Sequence, residues 1–328
     1  MTILFDQRWI GPHGIGRFAQ EVASHANFQP IALTGSPLAV QDAWRLGRYL
    51  RRSRPRHFFS PGFNAPLGRP CDFSFTIHDL IHLAFPAEQS VAKQMYYRFV
   101  IQPAIRNASV VFTVSEYSRQ RIIEWAGVSE SKVVVCGNGV DARFFEQGDR
   151  WRHNRPYLLY VGNQKPHKNV EALIRAYARS RVASEMDLLL TGQFSAGVAQ
   201  AIDQEKLHGK VVALGGVPEQ DLPALYRGAH ALVMPSLHEG FGLPVVEAMA
   251  AGTPVLSSNS TSLPEVGGDA VLYFNPNRWD SMVEGLDRLL DSQLMQQLRA
   301  AGPVRAARFR WPDVAQRIVS AINTHRRA

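Results

Sequence analysis

The sequence predicts an α/β protein built from two parallel-sheet units, and three observations carry that expectation. The apolar run 231–234 is short enough for a buried strand. A glycine-bearing loop, a helix over 244–251 and a second short strand at 254–257 follow it. The chain has 328 residues, room for two domains at about 150 residues each. Short apolar runs of the same kind recur at 2–5, 73–77, 108–114, 133–136, 157–162, 186–192 and 211–214. In such sheets a loop at the carboxyl end of a parallel strand is where ligands bind.

Composition bounds the class. Hydrophobic content of 45% and charged content of 20% are those of an ordinary globular core. Cys71 and Cys136 are the two cysteines, too few for a disulfide framework, so a reducing compartment is expected. Asp6 interrupts the first apolar stretch, which is not a signal peptide. No uncharged run approaches the roughly 18 residues that span a bilayer. The expected location is cytoplasmic, with peripheral contact on the inner face of the cytoplasmic membrane as the extension of that reading. A net charge of +8 permits anionic partners.

The first strand leads into Gly11, Gly14 and Gly16, then into a helix with Phe18, Val22 and Ala26 on one face. These glycines either bring backbone N–H groups to a phosphate or make a tight turn. The further glycine and distant acid of a dinucleotide fingerprint do not fit here. The segment 42–56 carries six arginines among Trp44, Leu46, Tyr49 and Leu50. On a helix Arg45, Arg48 and Arg52 share a flank with Trp44, which gives either a face for anionic lipid or a solvated face over Leu46 and Leu50. Nucleic acid is not expected, since no reader motif accompanies the charge. The strand at 73–77 ends in His78-Asp79, and Ser115 suits a helix cap after 108–114. The polar stretch 147–155 reads as a linker.

In the second half, Lys168 stands just before a helix with Val170, Leu173, Ile174 and Tyr177 inward, where it can neutralise a diphosphate. Glu239 and Glu247 are eight residues apart. One continuous helix would set them about 80° apart around its axis, but the intervening loop lets both face one cleft. Gly240 and Gly242 bare backbone N–H groups beside a helix N-terminus, a site suited to anions. Anion donors next to two carboxylates suit a sugar joined to a phosphate. Glu265 either supports this site or starts a helix. No Asp-x-Asp pair and no His/Cys cluster gives a metal site.

The segment EGFGLPVVEAMAAGTP, residues 239–254, resembles the E-x7-E motif of the retaining glycosyltransferases of the GT-B fold, in the large family 4 group. The resemblance extends over most of the chain. It implies two Rossmann-like domains facing a central cleft: 1–150 on the acceptor side, 151–309 binding a nucleotide-sugar donor, and 310–328 as a last helix crossing back onto the first domain. It further implies that Gly14 and Gly16 face the donor phosphate, and that His78 faces the transferred sugar. Lys168 would hold the pyrophosphate, the backbone at Val217 the base, Glu247 the ribose and Glu239 the sugar hydroxyls. Gly240, Phe241, Gly242 and Leu243 would complete the donor site. Asn163 stands where many members carry an arginine, a departure that throws weight onto Lys168, with Lys165 as the nearby substitute.

The expected activity is therefore transfer of a hexose from a nucleotide diphosphate sugar, with no cofactor and no metal. Lys168 and a helix N-terminus would do a divalent ion's electrostatic work. The stretch VGNQKPHKN (161–169) is similar to that of bacterial polysaccharide mannosyltransferases, which makes GDP-mannose the expected donor. A growing glycan or a polyprenyl-diphosphate-linked chain is the expected acceptor. Two alternatives keep the fold: a sugar-nucleotide epimerase or phosphorylase, and a non-catalytic nucleotide-sugar-binding subunit.

Overall fold

The inner strands are runs of three or four buried residues, the signature of sheets covered on both faces. In the computed structural model of the chain, residues 3–85 and 90–325 are described; Thr2, placed in the first strand above, and the last residues of 310–328 lie outside them. The chain divides into two units, one formed by Met1–Gly139 with Arg310–Ala328 and the other by Val140–Phe309.

The first unit holds β1 (Ile3–Phe5), β2 (Phe28–Pro30), β3 (His57–Ser60), β4 (Asp72–Thr76), β5 (Val110–Thr113) and β6 (Val133–Val135). All are parallel, in the order β2-β1-β3-β4-β5-β6. The order reverses between β1 and β3, so their carboxyl ends form the crevice where such sheets take ligands. The core of this unit gathers Phe58, Phe73 and Phe75 with Leu46, Leu50 and Ile101 from its helices. The helix Trp311–Thr324 also belongs here: Trp311 is buried, with its ring 6.2 Å from Phe18 on the helix Gly14–Ser24.

The second unit holds β7 (Tyr157–Tyr160), β8 (Asp187–Leu190), β9 (Val211–Ala213), β10 (Ala231–Met234), β11 (Val255–Ser258) and β12 (Leu272–Phe274). Its parallel order, β9-β8-β7-β10-β11-β12, is the 3-2-1-4-5-6 arrangement of dinucleotide-binding sheets, with the switch between β7 and β10. Leu173, Ile174 and Tyr177 from one covering helix pack with Leu188, Leu190 and Val233 from the sheet.

Two differences from the sequence reading have local causes. The first unit ends at Gly139, not near residue 150. Residues 140–150 are bound into the second unit instead: Phe144 packs edge-on to Tyr226 at 5.8 Å, and Arg227 donates to the Asp149 carbonyl at 2.9 Å. The backbone of Trp151 continues this attachment, donating to the Ala224 carbonyl at 2.9 Å. The strands β2, β3 and β12 were also not anticipated; a proline in β2 and a histidine in β3 interrupt their apolar pattern.

Candidate active site

The switch point of the second sheet brings together the loops after β7 and β10. The first loop turns at Gly162 and ends in a short 3-10 turn, Pro166–Lys168, closed by Asn169 in a left-handed conformation. The second runs from Pro235 to Gly242 along the top of β10. A backbone bond from Leu237 to the His167 carbonyl, 2.8 Å, ties the two loops. Across this junction Lys168 Nζ meets Glu239 Oε1 at 2.7 Å, with the side chains 16% and 11% exposed.

Glu239 is fixed by a third loop. Its N–H donates to Thr261 Oγ1 at 3.0 Å, and Ser262 Oγ donates to the carbonyls of Glu239 (3.0 Å) and Phe241 (3.2 Å). Thr261 itself sits at φ 55°, a left-handed conformation uncommon for a β-branched residue and one that marks functional loops. Thr261 and Ser262 were missed by the sequence reading. A serine- and threonine-rich turn after a strand was visible, but nothing in it said which backbone it would bind.

The helix Leu243–Ala250 begins at Gly242, with φ 104°, and has no side-chain cap and no acid in its first turn. A Cβ at Gly242 would come within 2.6 Å of Leu263 Cδ2, so both the angle and the space require glycine. Gly240 and Phe241 are buried and Leu243 is half-buried beside this end. The positive pole of the uncapped helix therefore follows Glu239, the partner of Lys168, by three residues in the same loop.

Glu247 is the fifth residue of that helix, so it falls in the second turn. It is buried, and its Oε2 accepts from Tyr226 OH at 2.8 Å. Tyr226 was not singled out in the sequence; its hydroxyl gives Glu247 a fixed orientation. Burial and the Glu239 charge push the Tyr160 hydroxyl well above its ordinary range, so it remains a donor, and it hydrogen-bonds the Asn163 carbonyl.

Asn163 is exposed, with its Oδ1 accepting from Lys165 N–H at 3.3 Å. Val217 is half-buried in the loop after β9, which is joined to the loop after β8 by mutual backbone bonds between Gly192 and Gly215. Glu265 is exposed on the helix Leu263–Gly267, and its carbonyl accepts from Arg305. Of its two readings, the helix-start one describes its place.

In the first unit, His78 follows β4. Its Nε2 lies 2.9 Å from the Pro61 carbonyl and Phe18 packs edge-on to the ring at 4.8 Å. Since a carbonyl only accepts, Nε2 carries the proton and Nδ1 keeps its lone pair. Burial holds the imidazole below its ordinary value, so the neutral ring predominates at neutral pH. The glycine loop carries a side-chain cap. Gly16 N–H is taken by His13 Nδ1 at 2.9 Å, which caps the helix Gly14–Ser24. Gly16 is glycine because a Cβ would come within 2.1 Å of the Gly11 carbonyl oxygen; Gly14, the first helical residue, is exposed.

On the helix Asp42–Ser53, Leu46 and Leu50 point into the core, whereas Trp44, Arg48 and Arg52 are exposed. The Arg48 guanidinium stacks over Trp44 at 5.4 Å. Arg45 leaves that face and donates to the Thr34 carbonyl at 2.9 Å. Among the described residues, no cluster of three or more His, Cys, Asp or Glu could hold a metal ion, and no helix is long and apolar enough to cross a membrane.

A lysine–carboxylate pair and an open helix N-terminus thus stand at the switch point of a doubly wound parallel sheet, the place where such α/β sheets take ligands. Two family descriptions match the chain, Glycosyl transferases group 1 over residues 141–305 and Glycosyltransferase Family 4 over residues 5–144. The O-antigen chain mannosyltransferase B of Escherichia coli is 31% identical over 75% of this chain and 68% of its own. The O-antigen chain mannosyltransferase RfbU of Salmonella typhimurium is 31% identical over 67% of this chain and 62% of its own. Anabaena HepE, solved in complex with UDP and glucose, superposes with a TM-score of 0.78 at 18% identity, over 99% of this chain and all of that one. The chain belongs to the group 1, family 4 glycosyltransferases, and its two six-stranded parallel sheets are those of the GT-B fold.

Proposed function

We propose that this protein is a retaining, metal-independent hexosyltransferase that moves mannose from GDP-mannose onto a glycan or lipid-linked oligosaccharide during cell-surface polysaccharide synthesis. The observation that carries the reading is the Lys168–Glu239 pair at the switch point of the second sheet. Phosphate on Lys168 releases Glu239 to accept from sugar hydroxyls, so one ligand satisfies both partners. The mannosyltransferase names of the two relatives support the choice of sugar.

In the proposed reaction the acceptor oxygen attacks the anomeric carbon from the face that the leaving group departs. The new O–C bond forms as the C–O bond to the diphosphate breaks, and the acceptor proton passes to the departing phosphate oxygen. Lys168 and the N-terminus of the helix Leu243–Ala250 stabilise the charge that develops on that diphosphate. Glu247, oriented by Tyr226, takes the ribose, the backbone at Val217 the base, and Asn163 and Gly240 to Leu243 line the donor. His78, with Nδ1 as an acceptor, belongs to the acceptor-side unit. The exposed Trp44, Arg48 and Arg52 are proposed to meet anionic lipid on the inner face of the cytoplasmic membrane. Flotation that is indifferent to anionic lipid would remove that part.

A thermal-shift panel of nucleoside diphosphates and their sugars, with chelator present, tests the core of this reading. A ligand that binds the folded state raises its stability by mass action. Selective shifts with GDP and GDP-mannose are expected, unchanged by chelator. A selective UDP response would overturn the sugar and keep the reaction class; no response to any nucleotide would overturn the transferase reading.

A further inference from the structure

The first unit contains a cavity of about 690 Å3 at the carboxyl end of its sheet, beside β1 and β3. That is within the range of small-molecule sites. Trp9, Phe63, Tyr96 and Tyr97 supply its large aromatic rings, Arg8, His13 and His82 lie among its walls, and the loop 36–40 with Ala92 and Lys93 forms its lip.

The Arg8 guanidinium in its wall is already satisfied. Arg8 donates to Asp6 (2.8 and 2.7 Å) and to Asp42 (2.7 and 3.2 Å). Asn64 Nδ2 donates to both aspartates at 3.0 Å, while its Oδ1 accepts from Trp9 Nε1 at 2.6 Å. This buried network spends its hydrogen bonds inside the protein, leaving walls that favour an apolar occupant.

The lip has the opposite anomaly, apolar side chains in water. Leu38 is 64% and Val40 95% exposed. Next to Ala92 and Lys93, the exposed Val91, Met95 and Phe99 follow one another at four-residue spacing along a single helical stretch. Cations edge this apolar border. Lys93 is exposed, with Nζ 3.5 Å from His82 Nδ1, and Arg98 lies over Phe99 at 5.8 Å. The lip loop also runs straight into the helix that presents Trp44, Arg48 and Arg52. An apolar pocket with exposed apolar lips and a cationic border matches a hydrocarbon chain that carries an anionic head. A chain inserted beside a basic surface also supplies the two signals that stable membrane attachment requires.

We propose that this cavity takes the first isoprene units of a polyisoprenyl-diphosphate-linked acceptor, with Lys93 beside the phosphates. The proposal rests on the lipid-linked form of the acceptor named under Proposed function. Calorimetry on the full chain tests it, using farnesyl phosphate below its micelle concentration, farnesol, inorganic pyrophosphate and a soluble oligosaccharide. Farnesyl phosphate and farnesol should both bind with a negative heat-capacity change, the mark of apolar burial. Ala92→Trp, which places bulk at an exposed lip position, should weaken both at least tenfold. Lys93→Gln should weaken farnesyl phosphate severalfold and leave farnesol unchanged. The proposal is overturned if neither isoprenoid binds, if pyrophosphate binds as tightly as farnesyl phosphate, if the oligosaccharide displaces farnesol, or if Ala92→Trp changes nothing. The nucleotide thermal shift is read on the same preparations. Failed isoprenoid binding with that shift intact refutes the cavity assignment alone, whereas loss of the shift refutes the donor reading.

Discussion

Glu247 places a carboxylate in the protein interior with Tyr226 OH as one of its donors. Tyr226→Phe removes that hydroxyl and little else, so a buried carboxyl group loses a hydrogen bond. The expected loss is about 1–3 kcal/mol of stability by denaturant titration, together with weaker binding of the nucleotide sugar. A variant with unaltered donor affinity would detach Glu247 from the ligand. Lys168→Ala should lower turnover by about 100- to 1000-fold if Lys168 stabilises the leaving diphosphate, with its largest effect on kcat.

His78 supplies a pH-dependent test on the same scale. Burial lowers its pKa, as it does for His230, from the ordinary value of 6.5. Below that pH the unfolded chain takes up protons that the folded chain refuses, so stability is full above pH 6.5 and declines as pH falls beneath it. His78→Gln should flatten part of this decline in melts recorded from pH 7 to pH 5; an unchanged slope would contradict the burial argument. These residues were unequally legible. Lys168, Glu239 and Glu247 stand out because their types are unusual beside glycines and strand ends. Tyr226, Thr261 and Ser262 act through atoms that only the packed loops bring within reach, at separations of about 20 residues.

Among elements, the helix Leu243–Ala250 shows how a start signal becomes an open N-terminus. Pro244 and the glycine before the helix were readable, and the resulting end has no side-chain cap. Gly242→Ala adds a methyl at φ 104° and within 2.6 Å of Leu263 Cδ2. It should destabilise the protein by more than about 1 kcal/mol and weaken nucleoside diphosphate binding beyond what that loss explains, read as the thermal shift on ligand addition. The longer buried strands were legible from continuous apolar runs, since both sheet faces are covered. β2 was not: Phe28-Gln29-Pro30 is an edge piece with two exposed residues, and proline is tolerated at such an edge. The glycine loop before the helix Gly14–Ser24 left two readings open for a different reason. Its spacing resembles a phosphate cradle, yet the ring of His13 occupies the N–H group at Gly16, a competition no spacing rule contains.

For the whole molecule, the chain order and the structural units do not coincide, because the segment beginning at Arg310 joins the unit that the chain had left at Gly139. The family resemblance implied a last helix at 310–328 on the first domain; the ring that Trp311 meets there, Phe18, lies about 300 residues earlier. Trp311 is the anchor: it is buried, and a Cβ at Gly139 would touch its backbone nitrogen at 2.5 Å. Trp311→Ala should therefore destabilise the first unit by about 3–5 kcal/mol, the range for emptying an aromatic site. The second unit keeps its own core and its own closure, with Val140 N–H donating to the Phe309 carbonyl at 3.0 Å. Calorimetric scans of the variant should show an early transition for the first unit and a later one that nucleoside diphosphate still raises. Ligand at 100 times its dissociation constant adds about 2.7 kcal/mol to whatever unit binds it. If the nucleotide instead moves the early transition, the donor site is on the other unit and the assignment of Lys168 and Glu239 falls. A single transition shifted as one would mean that the two units unfold cooperatively, so that losing Trp311 destabilises both.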